Sequence, residues 1–231
     1  MITVRQEFAD TFAEIDYYFE FIKKIDEGYT NLQNFEGDKL RISTELLSIL
    51  KANAYLLLYN VIEATIRNAI WEIFIQIKAN SVHYKDLRKE IREILIGRKI
   101  ELEFKTKDDT IIRQVHDMIE KAFQNSQDLY PPKRDLKISA GSLTTEKIRE
   151  ALKKYGVGDV RTQHTKEKEV FDDTKQKRNN LAHGEITFQE CGKPLSYLDL
   201  EEKKKYIKKY LTRVLDEVES YLLNQQYKTT S

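Results

Sequence analysis

The chain has 231 residues, of which 40% are hydrophobic, a share too high for a disordered protein. Its 39 Lys and Arg residues nearly balance its 38 Asp and Glu residues, which argues against a polycationic protein that coats nucleic acid. The sequence holds only 8 Gly and 3 Pro, and helix interiors tolerate neither residue. We therefore expect an all-α protein with a single domain over residues 1–231.

The first half of the chain has a helical hydrophobic period. Apolar side chains recur at steps of three and four over residues 3–27, and Gly28 would end that helix. Residues 31–40 are predicted to form a loop. Residues 41–80 contain neither Gly nor Pro and predict one long helix, or two with a kink, as the central element of the fold.

Helical character continues after the central helix. Residues 84–124 read as helical, although residues 96–104 are ambiguous, and residues 125–143 predict the longest loop because they hold two of the three prolines. We interpret residues 84–140 as a family-specific insert.

Three further helices are predicted toward the C-terminus. The first spans residues 144–156, and the second spans residues 165–182 and is followed by Gly184. Residues 185–194 predict an extended or looped excursion. Residues 199–225 predict a final amphipathic helix.

The single cysteine and the short apolar segments limit which disulfides, metal sites and cellular locations are possible. The single cysteine, Cys191, excludes an intramolecular disulfide and a zinc site built from cysteines, and a lone thiol is more often incidental than nucleophilic. The first ten residues have no apolar core typical of a signal peptide. The longest uncharged apolar stretch, residues 52–62, is too short to span a bilayer. We expect a cytoplasmic protein without a membrane partner.

The near-zero net charge hides an uneven distribution of charge. Residues 1–36 hold 3 basic and 8 acidic side chains, whereas residues 133–178 hold 13 basic and 8 acidic side chains. The positive excess therefore lies directly before the run that begins at Arg178. Such a local patch suits a protein that binds an anionic polymer and later releases it.

The main candidate for chemistry is the run from Arg178 to His183. The two residues are five apart, about 140° around an ideal helix, so they would not share one face, whereas Asn179 and His183 would. The alternative interpretation is an ordinary helix C-terminus whose His interacts with the helix dipole and whose Arg lies in solvent. The other histidines fall at no spacing that builds a metal site: His83, His116 and His164.

A polar stripe on the central helix is the second candidate feature. Asn53, Asn60, Glu63 and Arg67 cluster within about 80° of one another on an otherwise apolar helix. They predict a structural network, an ordinary Glu63–Arg67 ion pair, or a polar surface that faces the helix of Arg178 and His183.

The segment RNNLAHGEITFQECGKPLSYLDL, between an amphipathic helix and a long terminal one, resembles the HEPN superfamily. Ribonucleases of that superfamily carry an Arg followed by a His after four to six residues, often with a polar residue directly after the Arg. The matching residues are Arg178, Asn179 and His183. Three other segments resemble the stand-alone bacterial branch found in conflict and defence systems: TVRQEFADTFAEIDYYFEFI, LLLYNVIEATIRNAIWEIF and SAGSLTTEKIREALKKYGV.

The resemblance implies an antiparallel helical bundle with a long central helix and a helical insert. It implies a metal-independent endoribonuclease that needs no cofactor and works as a homodimer with two motif copies at the interface. His183 would act as the acid–base group, Arg178 would bind the scissile phosphate and Asn179 would orient the site. Glu63 and Asn60 would help to position the substrate.

Two other interpretations stay open. The chain could be an inactive HEPN adaptor or a regulatory module that binds RNA or nucleotides, or it could be a helical protein-interaction domain in which the motif is accidental. The ribonuclease interpretation implies RNA as the substrate and an antitoxin or another defence-system protein as a partner.

Overall fold

The computed structural model describes residues 1–28, 31–33, 36–37, 39–103, 133, 136, 138 and 141–229. This part of the chain is mostly helical and has only two short strands, which confirms the all-α prediction. The part of the predicted helical stretch 84–124 that follows residue 103, and most of the loop expected at residues 125–143, lie outside the described residues. The elements are α1 (Ile2–Asp26), β1 (Asn31–Gln33), β2 (Lys39–Arg41), α2 (Thr44–Ala79), a 3-10 turn (Tyr84–Asp86), α3 (Lys89–Glu103), α4 (Thr145–Lys154), α5 (Thr165–His183), α6 (Phe188–Gly192) and α7 (Tyr197–Leu223).

Helix α2 is the centre of the fold. It begins after Ser43, whose side chain accepts a hydrogen bond from the backbone N–H of Leu46, and it runs for 36 residues without interruption. Residues 44–79 therefore form one long helix, the first of the two predicted alternatives. Helices α1, α5, α6 and α7 all pack against it, so most of its circumference is covered by apolar side chains.

The length and mean hydropathy of α2 would also allow it to cross a membrane, and it is the one helix in the described ranges for which this holds. The central helix of a helical bundle passes the same test, because it too is apolar on most of its faces. In this fold α2 occupies that central position.

Helix α1 is antiparallel to α2 and to α7, so α2 and α7 are parallel to each other. Glu7 near the start of α1 accepts a hydrogen bond from Asn68, while Tyr18 further along α1 donates to the carbonyl of Leu50, so α1 and α2 run in opposite directions. Helices α5 and α7 are antiparallel, since Glu167 at the start of α5 pairs with Arg213, while Asp173 further along α5 pairs with Lys203 nearer the start of α7. The bounds of α1, α2, α5 and α7 agree with the predicted bounds to within two residues, except that α2 begins three residues later than predicted.

The predicted loop at residues 31–40 is wrong in part. Residues Asn31–Gln33 and Lys39–Arg41 form a two-stranded antiparallel hairpin in which Asn31 pairs with Arg41. Each strand has only three residues, and β1 is exposed throughout, so no alternation of apolar and polar side chains reveals it.

The predicted excursion at residues 185–194 is also wrong in part, because it contains helix α6. Thr187 and Glu190 form a capping box at the start of this helix, in which each side chain accepts a hydrogen bond from the other's backbone N–H. Gly192 at its end lies directly against the backbone carbonyl of Ser48, where a Cβ atom would not fit. The short helix is therefore held closely against α2.

The first part of the proposed insert packs into the main core. Leu87, Ile91 and Leu95 are fully buried there. The guanidinium of Arg88 donates to the carbonyl oxygens of Gly156 at 2.8 Å and Gln226 at 3.2 Å, so it joins this region to the ends of α4 and α7. The interpretation of residues 84–140 as a family-specific insert stays a prediction.

Candidate active site

The motif run lies in the last two turns of α5. Gly184 ends the helix with a backbone φ of 71°, and the N–H of Glu185 then donates to the carbonyl of Asn180 at 2.8 Å. Because the helix is regular up to His183, the side chains of Arg178 and His183 leave it on different sides. Arg178 is half-buried, whereas His183 is exposed.

The Arg178 guanidinium lies over the ring of Tyr59 on α2, with 4.9 Å between its central carbon and the ring centroid. Its Nη1 donates to Oδ1 of Asn179 at 3.1 Å. Its Nε and Nη2 have no hydrogen-bond partner, and no carboxylate lies within 4 Å, among the described residues. The group is therefore fixed by neutral contacts and keeps both its charge and a pair of donors for an anion.

Asn179 connects the motif to the segment that precedes α4. Its Nδ2 donates to the backbone carbonyl of Gly141 at 2.9 Å, and the N–H of the same Gly141 donates to Oε1 of Glu63 at 2.7 Å. Gly141 has a backbone φ of 78°, which strongly favours glycine. Glu63, Gly141, Asn179 and Arg178 thus form one continuous hydrogen-bonded chain, which we call the Gly141 relay.

Tyr59 on α2 also contacts the segment that precedes α4. Its hydroxyl oxygen accepts a hydrogen bond from the backbone N–H of Leu143 at 2.9 Å, and its side chain is fully buried. Burial raises the pKa of Tyr59 to about 12, with Glu63 adding to the rise and Arg178 opposing it. The hydroxyl therefore stays un-ionised at neutral pH and acts as a fixed support rather than as a base.

The polar stripe of α2 divides in the structure. Glu63 joins the Gly141 relay. Asn60 is exposed and makes no hydrogen bond to any residue in the described ranges, while the amide of Asn53 donates to the carbonyl of Ile49 in its own helix. Glu63 and Arg67 are not within ion-pair distance of each other, so the predicted four-residue ion pair is absent between these two described side chains.

Sequence reasoning missed Tyr59 and Gly141. Tyr59 directly precedes Asn60, and its apolar ring made it look like an ordinary core residue. Gly141 lies in the segment SAGSL, which reads as part of a loop. Both make their contacts with residues distant in the sequence, so no local pattern indicates them.

Fewer than half of the described cations in residues 133–178 form ion pairs. Five of these cations pair with nearby carboxylates: Lys147, Arg149, Arg161, Lys166 and Lys168. Six described cations have no carboxylate of the described residues within 4 Å: Lys133, Lys153, Lys154, Lys175, Lys177 and Arg178. Three of these six lie within four consecutive positions of α5, so unpaired positive charge is concentrated at the motif.

Metal-binding and thiol chemistry find no support in the described part of the chain. No group of three or more His, Cys, Asp or Glu side chains gathers there at a distance that could hold a metal ion. Cys191 is 2% exposed, and burial raises the pKa of its thiol. A buried, un-ionised thiol is unreactive, which agrees with the interpretation of Cys191 as incidental.

Comparison with known proteins identifies the family. Residues 3–227 match the family described as MAE_28990-like HEPN. Neither a curated protein nor a solved structure matches the chain. The match spans nearly the whole sequence, including α2, the segment that carries Gly141 and the motif helix α5. The chain therefore belongs to the MAE_28990-like HEPN family.

Proposed function

We propose that this HEPN protein is a metal-independent endoribonuclease of a bacterial toxin or defence system. The observation that carries the proposal is the state of Arg178. Its guanidinium is held by Tyr59 and Asn179, has no carboxylate partner among the described residues, and keeps Nε and Nη2 for a ligand. A fixed, unneutralised Arg fork is a suitable receptor for a phosphodiester group.

Arg178 would bind the scissile phosphate and stabilise the charge that develops on its oxygens. The Gly141 relay supports this role because it fixes the group before the RNA arrives, which lowers the cost of ordering it. Asn179 acts here as a positioning residue, with Gly141 and Glu63 behind it.

His183 would act as the acid–base group. Histidine titrates near neutral pH, so it can accept a proton from the 2′-hydroxyl or give one to the leaving oxygen. Its exposure leaves it open to a substrate. Attack by the 2′-hydroxyl on the neighbouring phosphorus would break the bond to the 5′-oxygen and leave a 2′,3′-cyclic phosphate, a reaction that balances without a cofactor.

A homodimer would bring these groups together. Within one chain Arg178 turns toward Tyr59, while His183 projects from another side of the same helix. A two-fold axis near the motif would place His183 of one chain beside Arg178 of the other, so that each dimer holds two composite sites.

The proposal is tested by expression in bacterial cells, where we expect the protein to be cytoplasmic and to act on cellular RNA. The wild-type chain should arrest growth, and R178A and H183A should each relieve the arrest. His164 lies at the other end of α5, so H164A serves as a matched control and should still arrest growth. Equal growth of cells that carry wild type and H183A would reject the enzyme and leave an inactive HEPN adaptor.

A further inference from the structure

Lys175 lies one helical turn before Asn179 and two turns before His183. On a regular helix these positions lie within about 80° of one another, and α5 is uninterrupted from Thr165 to His183. The face is the one beside the Gly141 relay, because Asn179 reaches the carbonyl of Gly141 from it. Lys175 therefore extends the motif surface by one turn toward the start of α5.

Lys175 forms no ion pair with a carboxylate of the described residues, although Asp172 lies close enough to interact with its charge. Asp172, one turn earlier, lies beyond ion-pair distance, and Glu146 of α4 pairs instead with Lys168 at 2.8 Å. No other carboxylate of the described ranges lies within 4 Å of the ammonium group. Lys175 is half-buried, and lysines at such positions commonly pack the stem against the protein and keep the charged end in solvent.

We infer that Lys175 binds a second phosphate of the RNA, next to the one that Arg178 binds; this rests on the proposed function. The two residues are separated by about 4.5 Å along the helix axis, and Lys175 lies on the Asn179 side of Arg178. A lysine provides a flexible point charge, which suits a phosphate that is held but not transformed. Lys175 would thus set affinity and register along the strand without taking part in the bond cleavage.

Lys177 provides a matched control on the same helix. It lies about 160° from Lys175 around the axis, on the side that faces Cys191 and α6, and it is also without a carboxylate partner among the described side chains. Replacing either lysine removes one positive charge from the same turn of α5, but from opposite faces of the helix. A difference between the two variants therefore reports contact with RNA rather than total charge.

The experiment measures binding of a fluorescein-labelled single-stranded RNA of mixed sequence by fluorescence anisotropy. All chains carry H183A to prevent cleavage, and KCl is varied from about 50 to about 200 mM. K175Q should weaken binding about three- to tenfold and lower the magnitude of the slope of log K against log salt by about 0.7, the value for one phosphate on a single strand. K175R should restore the slope, and K177Q should leave it near that of the parent.

An unchanged slope for K175Q, or an equal fall for K177Q, would overturn the inference while leaving the proposed function intact, provided that R178A still weakens binding. No RNA binding by the parent chain, or parent binding that R178A leaves unchanged, would instead reject the proposed function and the inference together. Thermal unfolding of each variant checks that the half-buried lysine is not needed for folding.

Discussion

The side-chain amide of Asn179 donates a hydrogen bond of 2.9 Å to the backbone carbonyl of Gly141. This bond joins the last turns of α5 to a segment 38 residues earlier in the chain. Because the same Asn179 accepts a hydrogen bond from Arg178, the position of the guanidinium depends on the segment that precedes α4. Changes at Gly141 should therefore alter the chemistry of the motif.

Replacing Asn179 by Ala should release Arg178 from the relay. We expect RNA cleavage to fall by about 10²-fold, since a small misplacement of a catalytic group costs about that much. The free energy of unfolding should fall by only about 1 kcal/mol, the net worth of a typical hydrogen bond. Single-turnover cleavage and urea unfolding measure the two effects.

The control for N179A is N53A, because the Asn53 amide bonds only within its own helix. Equal cleavage rates for N179A and N53A would show that the relay does not position the site.

Replacing Gly141 by Ala should harm both stability and cleavage. A non-glycine residue at this positive φ costs about 1–2 kcal/mol, and the added Cβ would lie 3.3 Å from Nη1 of Arg178. The matched control is Gly28, which has a φ of 106° but, apart from its chain neighbours, no atom of the described residues within 4 Å of an added Cβ. G28A should lose stability and retain full cleavage, whereas G141A should lose both; cleavage by G141A at the rate of G28A would refute the contact with Arg178.

Replacing Tyr59 by Phe should separate the two roles of this side chain. The ring under Arg178 is kept, but the buried N–H of Leu143 loses its acceptor, which costs about 1–3 kcal/mol of stability. RNA affinity of Y59F should stay near that of the wild type, whereas Y59L, which lacks the ring, should bind RNA more weakly. If Y59F and Y59L weaken RNA binding equally, the contact between ring and guanidinium does not contribute.

Buried tyrosines should make the fold sensitive to alkali. Burial raises the pKa of Tyr18 and of Tyr59 to about 12, above the usual value near 10. Above pH 10 the unfolded chain loses these protons first, so the stability that is fully present below about pH 10 declines until the folded-state pKa is reached. Urea unfolding at about pH 9 and about pH 11 should show this loss, and Y59F should reduce it; equal pH dependence in Y59F and wild type would rule out Tyr59 as a contributor.

Mixing R178A chains with H183A chains should restore cleavage if the site is shared between two copies. A mixed dimer then holds one intact site and one that lacks both groups, so random pairing restores about a quarter of the wild-type sites. Activity that stays at the level of the separate variants, in a mixture shown to exchange subunits, would place Arg178 and His183 of one chain in the same site.

Most of the helical fold could be predicted from the sequence, because long runs without Gly or Pro reveal their period and glycines mark their ends. Helix α6 was missed although its capping box of Thr187 and Glu190 is visible in the sequence. The residues around the capping box predict an extended or looped segment instead of a helix. The hairpin at residues 31–41 leaves no such trace, because each of its strands has only three residues.

Only the part of the candidate site that is close together in the sequence could be predicted. The five-residue separation of Arg178 and His183 already indicates different helix faces, and the structure shows one half-buried and the other exposed. Tyr59 and Gly141 were not predictable, because their contacts join residues far apart in sequence through backbone atoms. The polar stripe of α2 predicts a role for Glu63, but its partner in the structure, the backbone N–H of Gly141, could not be predicted.

The most direct test of the account is cleavage of RNA by the purified chain in the presence of EDTA. The wild type should cut single-stranded RNA and leave 2′,3′-cyclic phosphate ends, and H183A should be slower by about 10²- to 10⁴-fold while H164A matches the wild type. Absence of cleavage by the wild type, loss of cleavage in EDTA, or equal rates for H183A and wild type would contradict it.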